Sequence, residues 1–460
     1  MISSDRRPRV RAAVFVALAG LLASCGSSST SSPATTAAAQ TAAATPATSA
    51  PAATEAAAPT VADTTAATET VATEAAATTA AKVECTGDPI KLTMTATLTG
   101  PLAFASFQQG AEDALKASLT AINDACKIGR PLAVTICDDK SDPNESTTCG
   151  RTAKSDGSLA LFGSIGTQPG AAEASGLPML LTEGVSLSDL TSPIAFSGTN
   201  AITLVLGSLS AAAASGVKDY LFVAADGPAT QLLVGQLAQL ATQLGIKMEP
   251  LLYPADTTDF APIAAQISGK NPSAIGFAVP AVVPFFNALS SEGITPKDKL
   301  MFTSVALIPP EVIKELGDKI EGIYLISQSV PAQDSTNAGI KQMLAEYESA
   351  GVKTAVGDIG NFSVAIWSKA HVIDDAIAKL SPDKIKTLDT AGLQQALLDY
   401  GAIDRPELAK IDFSANAFPE NPVLSTLRVF SRYAMAVQVT GGTYKTVSPF
   451  GDVTKPFTLS

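Results

Sequence analysis

Small and hydroxyl-bearing residues recur in this chain just past short apolar runs, and that placement points to binding chemistry. Ser164, Ile165 and Thr167 follow the apolar run 159–162, and Gly184 and Ser186 follow 178–181. Hydroxyls and flexible backbone at such points suit a cleft for a small molecule. Covalent catalysis finds no comparable support. His371 is the one histidine of the chain, so no convincing triad forms on a serine. No G-x-x-x-x-G-K-[ST] run occurs, and Gly163, Gly166 and Gly170 lack the dinucleotide spacing. The paired acids Asp138 and Asp139 define no mechanism by themselves. His371, Asp374 and Asp375 fall at i, i+3 and i+4 on one helix. With no partner ligands elsewhere they read as a solvated face, not a metal site. The chain is expected to be no enzyme, with no catalytic residue, cofactor or metal.

The chain opens with Arg6, Arg7, Arg9 and Arg11, an apolar stretch over 12–23, and the small residue Ser24 ahead of Cys25. Basic start, short apolar core and small-residue cleavage point form an export signal. A cysteine directly after the cut resembles the lipobox of bacterial lipoproteins. That resemblance implies a signal peptide over 1–24 and a lipid anchor on Cys25. The expected location is then the outer face of the cell membrane, with a partner membrane but no spanning helix. Residues 26–81 are mostly Ala, Thr, Ser and Pro with scattered acids and no Lys, Arg, Leu, Ile or aromatic. Such a stretch has little apolar surface to offset the entropy of ordering, so 25–81 reads as a disordered linker. Cleavage before Cys25 removes four arginines and Asp5, taking the net charge from −12 to about −15. An acidic, aromatic-poor chain is a poor partner for nucleic acid. Four further cysteines, Cys85, Cys126, Cys137 and Cys149, suit disulfides in an exported protein. Three pairings are possible, and Cys85–Cys126 with Cys137–Cys149 is the favoured one.

The elements that must position the hydroxyl residues alternate. Strand-like runs at 90–98, 132–137, 159–162, 178–181, 220–224, 274–277, 300–303 and 322–326 are separated by helical stretches such as 108–126, 231–244, 260–267 and 283–292. That alternation predicts an α/β fold of doubly wound parallel sheets. In such sheets ligands bind beyond the carboxyl ends of the strands, where the hydroxyl residues fall. The length from 82 to 460 suits two lobes better than one core.

The segments 98–103 (Leu-Thr-Gly-Pro-Leu-Ala), 138–143 (Asp-Asp-Lys-Ser-Asp-Pro), 163–169, Thr258-Asp259-Phe260, Asn271-Pro272 and 439–444 occur in a telling order. Together they resemble the type I periplasmic solute-binding proteins of ABC transporters, in the branched-chain amino acid and amide branch. The resemblance implies two lobes joined by a three-crossing hinge. Lobe one would hold about 85–205 and 328–424, and lobe two about 206–327 and 425–460. It implies that Ser164, Ile165 and Thr167 offer a hydroxyl and free amides to a ligand carboxylate, with Gly184 and Ser186 adding a carbonyl and a hydroxyl. Phe104 and Phe362 would cover the ligand. Ser304 stands where amino acid binders of the family carry an acid, and aromatics expected near Pro228 and Pro280 are missing. Asp226 or Glu183 could supply negative charge instead. The implied ligand is a small polar solute: an amino acid, amide or carboxylate. The implied partner is an ABC permease, and a monomer is expected. The alternatives are a ligand-sensing module of a surface receptor and a non-transport surface lipoprotein with a degenerate cleft.

Overall fold

The computed structural model describes residues 85–100, 105–165, 170–184 and 187–460. The expected signal, Cys25 and the linker lie outside the described residues. The first sheet holds β1 (Ile90–Ala96), β2 (Leu132–Asp138), β3 (Leu161–Phe162), β4 (Met179–Leu180) and β6 (Ala195–Phe196), all parallel, in the order β2-β1-β3-β4-β6. Between these, β5 (Glu183–Gly184) and β7 (Thr199–Asn200) form a separate parallel ladder that sets Glu183 opposite Thr199. The second sheet joins β8 (Asp219–Ala225), β9 (Lys247–Tyr253), β10 (Ala274–Ala278), β11 (Leu300–Ser304), β12 (Tyr324–Ser327), β13 (Tyr433–Thr440) and β14 (Thr443–Asp452), in the order β14-β13-β12-β11-β10-β8-β9. Pairing is parallel from β9 to β12 and antiparallel for β13 and β14.

In β1, every residue but Lys91 is buried, threonines included. A strand buried on both faces needs cover on both, which parallel sheets obtain from helices. Helix Ala105–Ala125 lies against helices Ala338–Ser349 and Asn361–Ala378, so the chain returns to the first sheet after β12. Helix Ala201–Ala214 packs instead on β11, β12 and β13. The chain thus passes between the two α/β lobes three times: at Asn200, just after Ser327, and ahead of Tyr433. One hydrophobic cluster runs through both sheets, from Ile90 and Leu92 to Ile275 and Leu325. No helix among the described residues is long and apolar enough to cross a membrane.

Two disulfides brace the first sheet. Cys85 pairs with Cys126 at a Cα separation of 5.5 Å, and Cys137 pairs with Cys149 at 5.7 Å. The first joins the start of the described chain to the end of helix Ala105–Ala125. The second joins β2 to helix Pro143–Ser155, which Asp142 caps through the Asn144 N–H at 2.7 Å.

The acidic pair after β2 is structural. Asp138 Oδ1 accepts from the Leu98, Thr99 and Lys140 amides, and Asp138 Oδ2 from Thr99 Oγ1 at 2.5 Å. Burial pushes this carboxyl up, but those hydrogen bonds outweigh it and hold it below the usual aspartate value. Gly100, at φ 96°, passes so close to the Lys140 carbonyl that a side chain there would strike it. The solvated face expected around His371 and Asp374 is a correction to make. Both are buried, because helices on two sides cover that face. His371 meets Glu346 at 2.8 Å, and Trp367 Nε1 donates to the same carboxylate at 2.6 Å.

Candidate functional site

A cavity of about 300 Å³ opens between the two sheets, beyond the carboxyl ends of their strands. The first lobe contributes Ile165, past the end of β3, and Glu183, Thr199 and Asn200 from the separate β5–β7 ladder. The second contributes Phe222, Phe277 and the turn 304–307 after β11. Helix Asn361–Ala378 adds Asn361, Phe362 and Ser363 from its first turn, and Phe107 meets Phe362 at 5.2 Å between ring centroids. Most of this wall is apolar. Tyr444 presents its ring, while its hydroxyl, pushed far up by burial, donates to the Ile308 carbonyl at 2.6 Å.

The polar floor is built from the β5–β7 ladder and one buried lysine. Glu183 Oε1 accepts from Lys369 Nζ, and Glu183 Oε2 accepts from Thr199 Oγ1. Lys369 Nζ also reaches Thr199 Oγ1 at 3.3 Å. The Lys369 side chain is 1% exposed and that of Glu183 19%, so the cavity meets the carboxylate and not the ammonium. A buried cation needs such a partner, because desolvation otherwise penalises it heavily.

Beside this floor the three crossings are fastened together. Gln328 Oε1 accepts from the Asn200 amide at 2.8 Å, and Gln328 Nε2 donates to the Tyr433 carbonyl at 3.3 Å. Asn361 Nδ2 donates to Ser327 Oγ and to the Ser329 carbonyl, both at 2.9 Å. Asn200 Oδ1 caps helix Ala201–Ala214 through the Thr203 amide at 2.8 Å. Asn200 Nδ2 and Asn361 Oδ1 are left buried with no hydrogen-bond partner among the described residues.

The residues singled out in the sequence divide. Ile165, Ser304 and Phe362 line the cavity. Ser164 is 6% exposed, and its Oγ accepts from the Thr95 amide at 3.1 Å, just behind Ile165. Gly184 is buried in β5 beside Glu183 and is not part of the cavity wall. Asp226 is exposed away from the cavity and accepts from Gln231 Nε2 at 2.7 Å. Ser304 Oγ caps the following turn through the Ala306 amide at 3.2 Å. Phe104, Thr167 and Ser186 lie outside the described residues. The helix after Ser164 spans only Ala171–Ser175. The aromatics that the second sheet brings to the cavity are Phe222 and Phe277, which rise from strand interiors. Lys369 had a legible signal: a lone cation within Val364–Ile373, otherwise almost wholly apolar. Among the described residues no group of three or more His, Cys, Asp or Glu could hold a metal ion.

Comparisons with known proteins agree on the architecture. A structure of an ABC-transporter solute-binding protein from R. palustris in complex with 4-hydroxybenzoate aligns with a TM-score of 0.62 at 18% identity, covering 79% of this chain and 97% of the other. A fatty acid ABC transporter substrate-binding protein from Thermomonospora curvata aligns at 0.62 and 16%, covering 82% and 97%. A possible leucine/isoleucine/valine-binding protein from Rhodopirellula baltica SH 1 aligns at 0.62 and 13%, covering 80% and 98%. At such identities these likenesses speak for the fold. No curated protein matches by sequence. The model of the periplasmic binding protein family matches residues 89–426. With most of its length matched and a cavity set between two α/β lobes, this chain belongs to the type I periplasmic binding proteins, of the leucine/isoleucine/valine-binding-protein-like kind.

Proposed function

We propose that this protein is the solute-binding lipoprotein of an ABC importer, held by lipid on Cys25 at the outer face of the membrane and handing its solute to a permease. The cavity that both lobes line carries the reading: an occupant there touches both halves, so its extra contacts favour the closed form. Two disulfides support an oxidising, extracytoplasmic setting. The lobe boundaries read from the sequence, about 85–205 with 328–424 and about 206–327 with 425–460, serve as the working division of a monomer. An open cavity of about 300 Å³ weighs against a degenerate cleft.

The solute has an apolar body. Phe107, Phe222, Phe277 and Phe362 favour rings or short hydrocarbon chains over the small polar solute expected from the sequence. Structural neighbours that bear 4-hydroxybenzoate or are named for fatty acids point the same way. The test is thermal unfolding of the purified chain against aromatic and short aliphatic compounds, amides and amino acids. A ligand at a hundred times its Kd adds about 2.7 kcal/mol of stability. Absence of any saturable shift across the whole panel would sink the importer reading. Separately, Cys25→Ser should move the protein from the membrane fraction to the soluble one.

A further inference from the structure

We infer that the cavity selects an uncharged head group that donates a hydrogen bond, a hydroxyl or phenol on an apolar body, and that Glu183 sets this choice against carboxylates. The inference rests on the solute-binding reading above. Among the described residues lining the cavity, Glu183 is the one Asp, Glu, Lys, Arg or His. The three internal segments outside the described residues, 101–104, 166–169 and 185–186, contain none of these types either. Lys369 neutralises Glu183 from behind. Its stem is packed under Gly198, where an added side chain would lie 3.2 Å from its Cε. A ligand therefore meets a carboxylate whose counter-charge is out of reach.

Lone-pair accounting gives the same result. Each carboxylate oxygen has about two acceptor sites. Lys369 takes one on Oε1 and Thr199 takes one on Oε2, which leaves acceptor capacity on both. The Thr199 proton is spent on Glu183, so this end of the cavity accepts hydrogen bonds. Asn361, in the wall of the same cavity, holds a further unpartnered acceptor buried beneath the surface. Its Nδ2 faces the Ser329 carbonyl, which cannot donate, so the unpartnered atom is Oδ1. Asn200, next to Thr199 in β7, holds one unpartnered donor just beneath the cavity surface: its Oδ1 is fixed by the Thr203 amide, leaving Nδ2 buried. A hydroxyl both donates and accepts, and so fits acceptors flanked by one donor. A carboxylate only accepts; at this end of the cavity its donor would be Asn200 Nδ2, with the Ser304 hydroxyl elsewhere in the wall, while it lay against Glu183. An ammonium would bring a second positive charge to a carboxylate that Lys369 already balances.

The experiment is calorimetric titration of the purified full chain at pH 7.5 with pairs sharing one skeleton: benzyl alcohol against benzoate, phenol against benzoate, hexanol against hexanoate. The alcohol or phenol of each pair is expected to bind at least tenfold more tightly than the acid. Acids binding as tightly as their partners, or more so, would overturn the inference while leaving the solute-binding reading in place. Absence of binding by every compound would overturn both. The double variant Glu183→Gln, Lys369→Met keeps the floor neutral and should bring each pair within threefold. A full tenfold preference persisting in that variant would remove Glu183 as the selector. Should the variant fail to fold, the wild-type pairs decide the matter by themselves.

Discussion

Removing one partner of a buried charge pair strands the other, so the floor of the cavity makes a sharp stability prediction at the residue scale. Lys369→Met alone should cost about 3–5 kcal/mol in denaturant unfolding, because Glu183 loses its counter-ion. Adding Glu183→Gln should restore most of that loss. A single variant as stable as wild type would show that the pair contributes little. A second prediction concerns Glu346. Burial pushes its carboxyl up, but hydrogen bonds from His371, Gln342 and Trp367 outweigh this and hold it below its ordinary 4.5. A carboxylate depressed in the folded state adds stability that is complete above the ordinary value and is lost as pH falls through the folded one. Asp374, faced by Lys127 and Asp375, is raised by burial and acts with the opposite sign. Glu346→Gln should therefore destabilise the protein at pH 7, and the gap to wild type should close below pH 4.5. Urea unfolding across that range checks it, and a gap that widens in acid contradicts it. At this scale the sequence was only partly legible. Phe362 and Ile165 stand next to turn residues that mark strand ends or helix starts. Lys369 and Glu183 are separated by 186 positions, and only the fold brings them together.

Elements were more legible than contacts, for a physical reason. Long strands such as β1 and β8 and helix Ala105–Ala125 announce themselves by period and by flanking Gly or Pro, independent of their neighbours. The two-residue strands β5 and β7 carry no period at all, and they owe their existence to each other. Strand β9 was missed because Glu249 and Pro250 interrupt its apolar pattern at the open edge of the sheet, where proline is tolerated. The disulfides are a prediction at this scale. In the chain-entropy model a loop of 41 residues yields about 4 kcal/mol and one of 12 about 3 kcal/mol. Replacing Cys85 and Cys126 by serine should thus lower the unfolding free energy more than replacing Cys137 and Cys149. The reverse order would place the effect in native-state packing instead.

For the molecule as a whole, an exposed ion pair joins the two lobes. Lys314, on helix Pro310–Leu316 after β11, meets Asp358 in the turn ahead of helix Asn361–Ala378. Both side chains are well exposed, so the pair is worth at most about 1 kcal/mol. Lys314→Ala should speed release of a bound solute by up to about fivefold at low salt, and by less at high salt. Stopped-flow release at two ionic strengths measures it; a salt-independent change would assign the effect to something other than charge. The three crossings between the lobes are also tied to one another through the Gln328 side-chain amide. The Cys85–Cys126 bond has a mechanical corollary. A tug arriving from the N-terminal side reaches a covalent crosslink before it reaches the first strand. Load is shunted into the tail of a long helix, and the ladder of β1, in the interior of its sheet, is spared from being unzipped.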